Sequence, residues 1–361
     1  MAPPTPAGRS LRLIVPVQGQ ISGGQVFNTE LARALGGAGW AVEVREISGD
    51  WPSPTPAERE HVRVALTAPP GPVVAVDGII GSACPDEIGA AVTAGVTVLV
   101  LVHMPLPAET GLPPDQQAAL AELEARALHA ASAVTACSHW SARDLHRRYP
   151  RLPAIHVLTP GAEPAPVATG SEPPRLLMVG ALTPVKNHAT ALAALAEVAD
   201  LPWQALLVGP QRDGRVLEEV RRTLRTPALA GRVGLPGELH GAALEGAWQG
   251  GDLLLVPSWA ETFGLVVTEA LAHGIPAVVA RGTGAVEALT GTAAGAIRPR
   301  AIPGAVADPG DPGAWAAILR AWLTDRTRRE GWRRLAHERR RALRRWSDTA
   351  GDFARIVTGL P

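Results

Sequence analysis

SWAETFGLVVTEALAHGIPAVVA (residues 258–280) combines a loop, a short helix and a buried strand in one continuous stretch. The pattern predicts a helix from Leu265 to about Ala272, with Phe263-Gly264 at its beginning. Gly274-Ile275-Pro276 ends this helix, since glycine and proline commonly follow a helix C-terminus. The apolar run after them is typical of a buried strand. This order of elements indicates an α/β domain built on a parallel sheet.

Two glutamates flank the start of the predicted helix. Glu261 lies in the loop before it, and Glu269 lies about one turn inside it. The N–H groups of Leu265 and Val266 have no acceptor within the helix, so they can bind an anion. Carboxylates on both sides of an anion site suit a ligand with hydroxyl groups at both ends and phosphates between them. A nucleotide sugar has that arrangement.

Length and composition exclude several classes of protein. The chain has 361 residues, 46% of them hydrophobic and 19% charged, which describes a globular protein with a large core. Its formal net charge is zero, which gives no argument for nucleic acid as a partner. Two cysteines are too few for a disulfide framework or a zinc site. The first ten residues, MAPPTPAGRS, contain no apolar segment, so we expect no secretory signal and a cytoplasmic protein.

Short β-rich runs alternate with Ala/Leu-rich helical stretches along the whole chain, which predicts parallel sheets covered by helices. The expected fold is α/β, with two Rossmann-like doubly wound domains facing a central cleft. The last predicted strand is residues 295–299. We place the N-terminal domain at 1–163, a proline-rich linker at 164–174 and the C-terminal domain at 175–335.

Two other segments follow predicted strands, where such sheets bind ligands. Gly23 and Gly24 lie between a strand and a helix, so backbone N–H groups can approach an anion there; the alternative is an ordinary tight turn. Lys186, in VGALTPVKNH, is the only lysine in a chain whose other cations are arginines. A flexible ammonium suits phosphate binding, and the alternative is a surface lysine.

These segments together resemble a known family. The pattern E-x-F-G-x4-E-A, followed by GIPAVVA and RGTGAVEAL, is similar to that of the family-4 retaining glycosyltransferases of GT-B fold, the bacterial group 1 type. Other matching segments occur in the expected order: ISGG, LVHMPL, LTPGAEP, VGALTPVKN, LLVGP and RWSDTAGDFARI. The resemblance also implies that a C-terminal helix, residues 336–361, packs back on the N-terminal domain through Trp346 and Phe353.

The resemblance implies roles for particular residues. Glu261 would bind hydroxyls of the transferred sugar, Glu269 the ribose, and Lys186 the diphosphate. Leu239 would touch the nucleobase, and His103 would lie near the reacting carbon, unless it is a polar residue at a strand end. The implied catalytic residues are Glu261, Lys186 and His103. The implied donor-binding residues are Gly23, Gly24, Lys186, Leu239, Glu261, Phe263, Gly264, Leu265, Val266 and Glu269.

The function expected from the resemblance is transfer of a sugar, with retention of configuration, from a UDP-, GDP- or ADP-linked donor to an unidentified acceptor. No metal or other cofactor is expected, since the cleft segments contain no Asp-x-Asp. One alternative is a GT-B epimerase or hydrolase of nucleotide sugars. Another is an inactive nucleotide-sugar-binding paralogue; its support is Ala181, where the family usually has arginine. Either Arg281 or backbone amides compensate for that arginine, or Lys186 carries its role alone.

A region near the C-terminus is rich in arginine. Residues 325–346 contain ten arginines, two glutamates and one aspartate. The favoured interpretation is the solvated face of a helix. The alternative is weak peripheral contact of residues 326–345 with a membrane or another anionic partner.

Overall fold

A computed structural model describes residues 9–17, 22–68, 73–108, 111–291 and 302–360. The chain forms two compact units. The first contains Met1–Gly161 and Arg344–Pro361, and the second contains Ala162–Leu343. The predicted linker, 164–174, therefore lies in the second unit, and the C-terminal segment joins the first unit from Arg344.

The first unit contains six strands and seven helices within its described residues. Its strands are β1 (Ser10–Pro16), β2 (Ala41–Ile47), β3 (Val73–Asp77), β4 (Val98–Val102), β5 (Ala133–Ala136) and β6 (Ile155–Val157). Its helices are α1 (Gly23–Gly37), α2 (Pro56–Thr67), α3 (Gly78–Gly81), α4 (Pro85–Thr93), α5 (Pro114–Ala130), α6 (His139–Arg148) and, at the C-terminus, α14 (Trp346–Thr358). A short 3-10 turn covers Leu106–Ala108.

The strands of the first unit form one parallel sheet in the order β2-β1-β3-β4-β5-β6. Every residue of β4 is buried, because helices cover both faces of a sheet of this kind. β2 and β3 lie on opposite sides of β1, so the carboxyl ends of β1 and β3 are next to each other at one edge of the sheet.

The C-terminal helix α14 packs on α1 in this unit. The Trp346 ring meets the Phe27 ring edge-on at a centroid distance of 5.5 Å, and Phe353 meets Trp40 at 6.0 Å. Trp346 and Phe353 are both buried. A side chain at Gly161 would collide with the backbone of Trp346, so close approach of these segments requires glycine there.

The second unit has the same kind of architecture. Its strands are β7 (Arg175–Val179), β8 (Gln204–Val208), β9 (Val233–Gly237), β10 (Leu253–Val256), β11 (Ala277–Ala280) and β12 (Gly304–Ala307). Its helices are α7 (His188–Glu197), α8 (Gly214–Leu224), α9 (Gly241–Gln249), α10 (Leu265–Ala272), α11 (Ala285–Thr290), α12 (Pro312–Thr324) and α13 (Arg326–Arg341). The parallel strand order is β12-β11-β10-β7-β8-β9.

The predicted class, α/β with two doubly wound parallel sheets, is confirmed. The predicted strand at 295–299 lies outside the described residues, and the sixth strand of this sheet is β12. The helix α10 has the bounds that its sequence predicts. The order β10-β7 makes two strands neighbours that are far apart in the chain, and the loops that follow them carry Glu261 and Lys186.

The segment predicted as a linker packs on the second unit through its backbone. The N–H of Ala168 donates to the His273 carbonyl at 2.8 Å, and the N–H of Gly170 donates to the Gln249 carbonyl at 3.0 Å. The carboxylate of Asp252 accepts the N–H of Ser171 at 3.0 Å. A proline-rich segment cannot continue a helix, but these three N–H groups are satisfied by residues at the ends of α9 and α10 and just before β10.

Candidate functional site

The strongest group of predicted residues lies at the carboxyl edge of the second sheet, around the start of α10. Gly264 precedes this helix with φ +88°, a left-handed conformation that glycine adopts at little cost. Among the described residues no side chain caps this end. The first hydrogen bond of the turn runs from the Val267 N–H to the Gly264 carbonyl at 2.9 Å. The N–H groups of Leu265 and Val266 precede that bond and face the helix end, as an anion site requires.

Lys186 forms an ion pair with Glu261, which lies in the loop that leads into this helix. The distance from Lys186 Nζ to Glu261 Oε1 is 2.6 Å, and the two side chains are 29% and 11% exposed. The residues are 75 positions apart in the sequence and meet because β7 and β10 are neighbours. The ammonium can still reach a second anion, because it has three donors and only one is used in this pair.

Asn187 holds the Lys186 loop in place. Its backbone is left-handed, with φ 51°, and its buried side-chain amide donates to the carbonyls of Pro257 at 3.0 Å and Pro309 at 2.9 Å. The N–H of Trp259 donates to the Val185 carbonyl at 2.8 Å, which joins the two loops directly. These bonds fix the loop after β7 against the loop after β10.

Gly284 fixes the backbone of Glu261 from the third loop at this edge. Its N–H donates to the Glu261 carbonyl at 2.6 Å. A Cβ atom at Gly284 would lie 2.1 Å from the Thr262 carbonyl oxygen, so the approach requires glycine. Neither Gly284 nor Asn187 is among the residues that the sequence indicates, although they lie in the quoted segments RGTGAVEAL and VGALTPVKNH.

Glu269 lies on α10, about one turn beyond its first residue, and is half-buried. Burial raises the pKa of its carboxyl group, and the nearby His273 acts in the opposite direction. The Phe263 ring is also buried, so a contact from this residue to a donor falls to its backbone. Leu239 is half-buried in the loop between β9 and α9, and no described contact links it to Glu261 or Lys186.

A second group of residues lies at the carboxyl edge of the first sheet. A Cβ atom at Gly24 would lie 3.0 Å from the His103 ring, so the glycine turn at the start of α1 touches the residue after β4. The structure thus brings two predicted residues of this unit together. Gly23 begins α1, and the Ser22 hydroxyl caps that helix by accepting the Gln25 N–H at 3.2 Å.

His103 is held by two buried polar residues that the sequence analysis missed. Asn28 Nδ2 donates to Asp77 Oδ2 at 2.5 Å, so its Oδ1 is left to accept the His103 Nε2–H at 2.9 Å. Burial lowers the pKa of His103, while Asp77 opposes that shift. The Nε2–H that this bond requires is available in a neutral ring, which the lowered pKa favours. The signal for Asp77 was its position at the end of a buried strand, VVAVD.

Ala181 is the position at which this chain differs from the family pattern, which usually has arginine there. Ala181 follows β7 and is half-buried, and Gly180 before it lies against the Lys186 stem, 3.5 Å from Lys186 Cε to a Cβ built there. Arg281 follows β11 and its side chain is exposed. Lys186 is thus the basic residue whose side chain pairs with Glu261, and Arg281 is a cation of the neighbouring loop.

The arginine-rich helix α13 uses several of its side chains within the second unit. Arg340 donates to the carbonyls of Ala272 and Ala165, each at 2.6 Å, and Arg333 donates to the Ala168 carbonyl at 2.5 Å. These bonds join α13 to the end of α10 and to residues 162–174. They account for part of the arginine content without a membrane.

Within the described ranges, no group of three or more His, Cys, Asp or Glu side chains is placed to hold a metal ion. None of the helices in those ranges is both long enough and apolar enough to cross a membrane.

The fold is that of the GT-B glycosyltransferases. The sucrose-phosphate synthase of Thermosynechococcus elongatus matches with a TM-score of 0.77 at 20% identity, over 98% of this chain and 99% of that chain. HepE of Anabaena, solved in complex with UDP-glucose, matches with a TM-score of 0.75 at 17% identity, over 97% of this chain and 100% of that chain. At sequence identities this low, the structural likeness shows the fold alone.

The sequence of the second unit is similar to that of a known family. Residues 173–325 match the family model described as glycosyl transferases group 1. The D-inositol 3-phosphate glycosyltransferase of Xylanimonas cellulosilytica is 31% identical over 265 residues, which are 63% of this chain and 57% of that relative. The chain thus spans less than two thirds of that relative's length. The predicted resemblance to the group 1 glycosyltransferases is confirmed.

Proposed function

We propose that this protein transfers a sugar from a nucleoside diphosphate sugar to a hydroxyl acceptor, with retention of configuration at the anomeric carbon. The observation that carries the proposal is the Lys186–Glu261 ion pair, with an N···O distance of 2.6 Å, at the uncapped start of α10. It joins a cation to a carboxylate in the loop that leads into α10, within the residues that match the family model.

In the proposed reaction the bond between the anomeric carbon and the phosphate oxygen breaks, and the acceptor oxygen bonds to that carbon on the same face. The acceptor proton passes to the departing phosphate oxygen. Lys186 and the N–H groups of Leu265 and Val266 stabilise the negative charge that develops on the diphosphate, which is commonly the largest catalytic contribution in such sites. Glu261 orients the sugar by accepting hydrogen bonds from its hydroxyl groups.

The remaining residues bind and position the ligand. Glu269 accepts hydrogen bonds from the ribose hydroxyl groups, and Leu239 contacts the base. Gly264 allows the diphosphate to approach the helix end closely. In the first unit, the Gly23-Gly24 turn provides backbone N–H groups. His103 is a neutral contact group near the reacting carbon rather than a cation, because burial lowers its pKa.

The choice of first donors and acceptors follows from the similar proteins. UDP-glucose is the first donor to test, since HepE is solved with it, followed by GDP- and ADP-linked sugars. D-inositol 3-phosphate is the first acceptor to test, because the relative carries it in its name. Simple sugars and sugar phosphates extend the acceptor panel.

The test combines nucleotide binding with transfer. Stabilisation of the protein by one nucleoside diphosphate, together with formation of a glycosylated acceptor, is the expected result. The anomeric configuration of the product, read by the proton coupling constant at the anomeric carbon, tests retention. Turnover of the donor without any acceptor would favour the epimerase or hydrolase, and binding without turnover would favour the inactive paralogue. No stabilisation by any nucleotide would overturn the proposal.

A further inference from the structure

Trp259 is an exposed indole in the loop that carries Glu261. The chain contains ten tryptophans, all within the described residues, and Trp259 is the one that is exposed, at 49%. Exposure of a single apolar residue is ordinary. The place of this residue is not, because it lies two positions before Glu261, at the carboxyl edge of the second sheet. A large apolar surface at this place is available to a ligand.

Both ends of Trp259 are held in place. Its backbone N–H donates to the Val185 carbonyl at 2.8 Å. Two carbons at the far edge of its six-membered ring, Cη2 and Cζ3, would lie 3.6 and 3.8 Å from a Cβ atom built on Gly310. The Gly310 N–H in turn donates to Asp308 Oδ1 at 2.8 Å. The ring is thus supported along its outer edge, and a supported ring loses little conformational freedom when a ligand binds.

The side chain extends away from the residue proposed to contact the base. Trp259 follows β10 and Gly310 follows β12, so the ring reaches past β11 at the carboxyl edge of the sheet. Leu239 follows β9, at the opposite end of the strand order. Neighbouring strands lie about 4.8 Å apart, so β9 and β10 are separated by about 14 Å and β10 and β12 by about 10 Å.

This order gives the proposed ligand a direction along the edge. With its base after β9 and its diphosphate at Lys186, after β7, its sugar would lie toward β10 and β12. Glu261 would then accept hydrogen bonds from the sugar, and the Trp259 ring is the next surface in that direction. A pyranose has hydroxyl groups around its edge and C–H groups on its faces. A carboxylate and an indole match these two parts of one ring.

We propose that Trp259 is a specificity-determining residue whose indole face stacks on the C–H face of a pyranose ring. This role depends on the proposed function, and the ring belongs to the transferred sugar or to a sugar acceptor, which share this chemistry. The electron-rich face of an aromatic ring attracts C–H groups, and stacking removes apolar area from water. A pyranose with equatorial hydroxyl groups, such as glucose, presents uninterrupted C–H faces and is favoured over one with an axial hydroxyl group.

Calorimetry with UDP and with UDP-glucose tests the contact in the unchanged protein, Trp259→Ala and Trp259→Phe. UDP lacks the sugar, so Trp259→Ala should bind it as tightly as the unchanged protein does. Stacking on the transferred sugar makes UDP-glucose bind about tenfold more weakly to Trp259→Ala, as for the loss of a typical aromatic contact. Trp259→Phe keeps an aromatic face and should recover most of this affinity.

Stacking on the acceptor gives a different result in the same variants. The affinity for UDP-glucose then stays unchanged, and the KM for the acceptor rises about tenfold in Trp259→Ala, with recovery in Trp259→Phe. Equal weakening of UDP and UDP-glucose would show general damage to the loop and would refute the stacking contact.

Val167→Ala is the matched control. Val167 is another exposed apolar residue of this unit, at 39%, and its neighbour Ala168 bonds to His273 at the other end of α10. Neither the affinity for UDP-glucose nor the KM for the acceptor should change in this variant.

Quenching of tryptophan fluorescence by acrylamide observes the ring directly. The other nine indoles are buried or half-buried, so Trp259 is the most accessible to the quencher. UDP-glucose, or the acceptor added with UDP, should protect it from quenching, whereas UDP alone should not. The protection should be absent in Trp259→Phe. Equal quenching with and without the sugar ligands would show that no ligand covers the ring.

The binding measurements separate failure of this role from failure of the proposed function. GDP or ADP and its glucose conjugate replace UDP and UDP-glucose if they are the nucleotides that bind. If the unchanged protein binds none of the three nucleotides, the proposed function fails and the role of Trp259 fails with it. If it binds them but Trp259→Ala changes neither the affinity for the sugar nucleotide nor the acceptor KM, the role of Trp259 alone is overturned.

Discussion

Replacing Lys186 with alanine tests the candidate site most directly. In the structure its ammonium contacts Glu261 Oε1 at 2.6 Å, and Glu261 lies in the loop that leads into α10. A charge-assisted hydrogen bond to a phosphate is typically worth about 1.5–3 kcal/mol. Its loss corresponds to a dissociation constant for UDP that is roughly 10–150-fold higher. Isothermal titration calorimetry measures this change.

The same substitution removes the cation that faces a largely buried carboxylate. Glu261 is 11% exposed, so its desolvated charge loses its partner, and we expect the free energy of unfolding to fall by about 1 kcal/mol. Urea unfolding followed by circular dichroism separates this effect from the loss of affinity. Lys186→Arg should recover most of the stability but less of the affinity, because the guanidinium is wider and less flexible than the ammonium.

Arg326→Ala is the matched control, since it removes one positive charge from the same unit. The Arg326 side chain is 84% exposed and pairs with Glu330 on the surface of α13. UDP affinity in this variant should stay within about twofold of the unchanged protein, as surface pairs contribute little. If Lys186→Ala binds UDP as tightly as the unchanged protein does, Lys186 is not a phosphate ligand and the argument from the ion pair is refuted.

Three further substitutions test other parts of the structure. Gly264→Ala places a Cβ at a φ of +88°, so we expect the free energy of unfolding, measured with urea, to fall by about 1–2 kcal/mol. UDP binding, measured by calorimetry, should also weaken. Unchanged values would contradict the requirement for a left-handed residue at this turn. Burial lowers the pKa of His188 to about 4, so the folded protein should lose stability as pH falls from about 6.5 to 4, by up to about 3 kcal/mol, and this loss should be absent in His188→Gln. Asp77→Asn removes the carboxylate that orients Asn28, so transfer activity should fall several-fold with UDP affinity unchanged; an equal fall in both would point to general damage to the fold.

Local sequence determined the elements of this protein. The bounds of α10, Leu265 and Ala272, follow from signals within a few residues, namely Gly264 before the helix and Gly274 to Pro276 after it. The alternation of β-rich and helical stretches likewise predicts doubly wound sheets, because hydrophobic periodicity and turn residues act over short distances. The carboxylates of the E-x7-E pattern were identified for the same reason, since both lie in one short segment.

Tertiary structure alone decided which of these elements meet. Lys186 and Glu261 come together because β7 and β10 are neighbours in the second sheet, and His103 meets Asp77 because β4 is paired with β3 in the first. No local pattern encodes strand order, which depends on the packing of whole helices and strands. The contacts of Asn28 and Gly284 were missed for this reason. The parallel sheet brings strand ends from distant parts of the chain to one edge, and the candidate site is formed there.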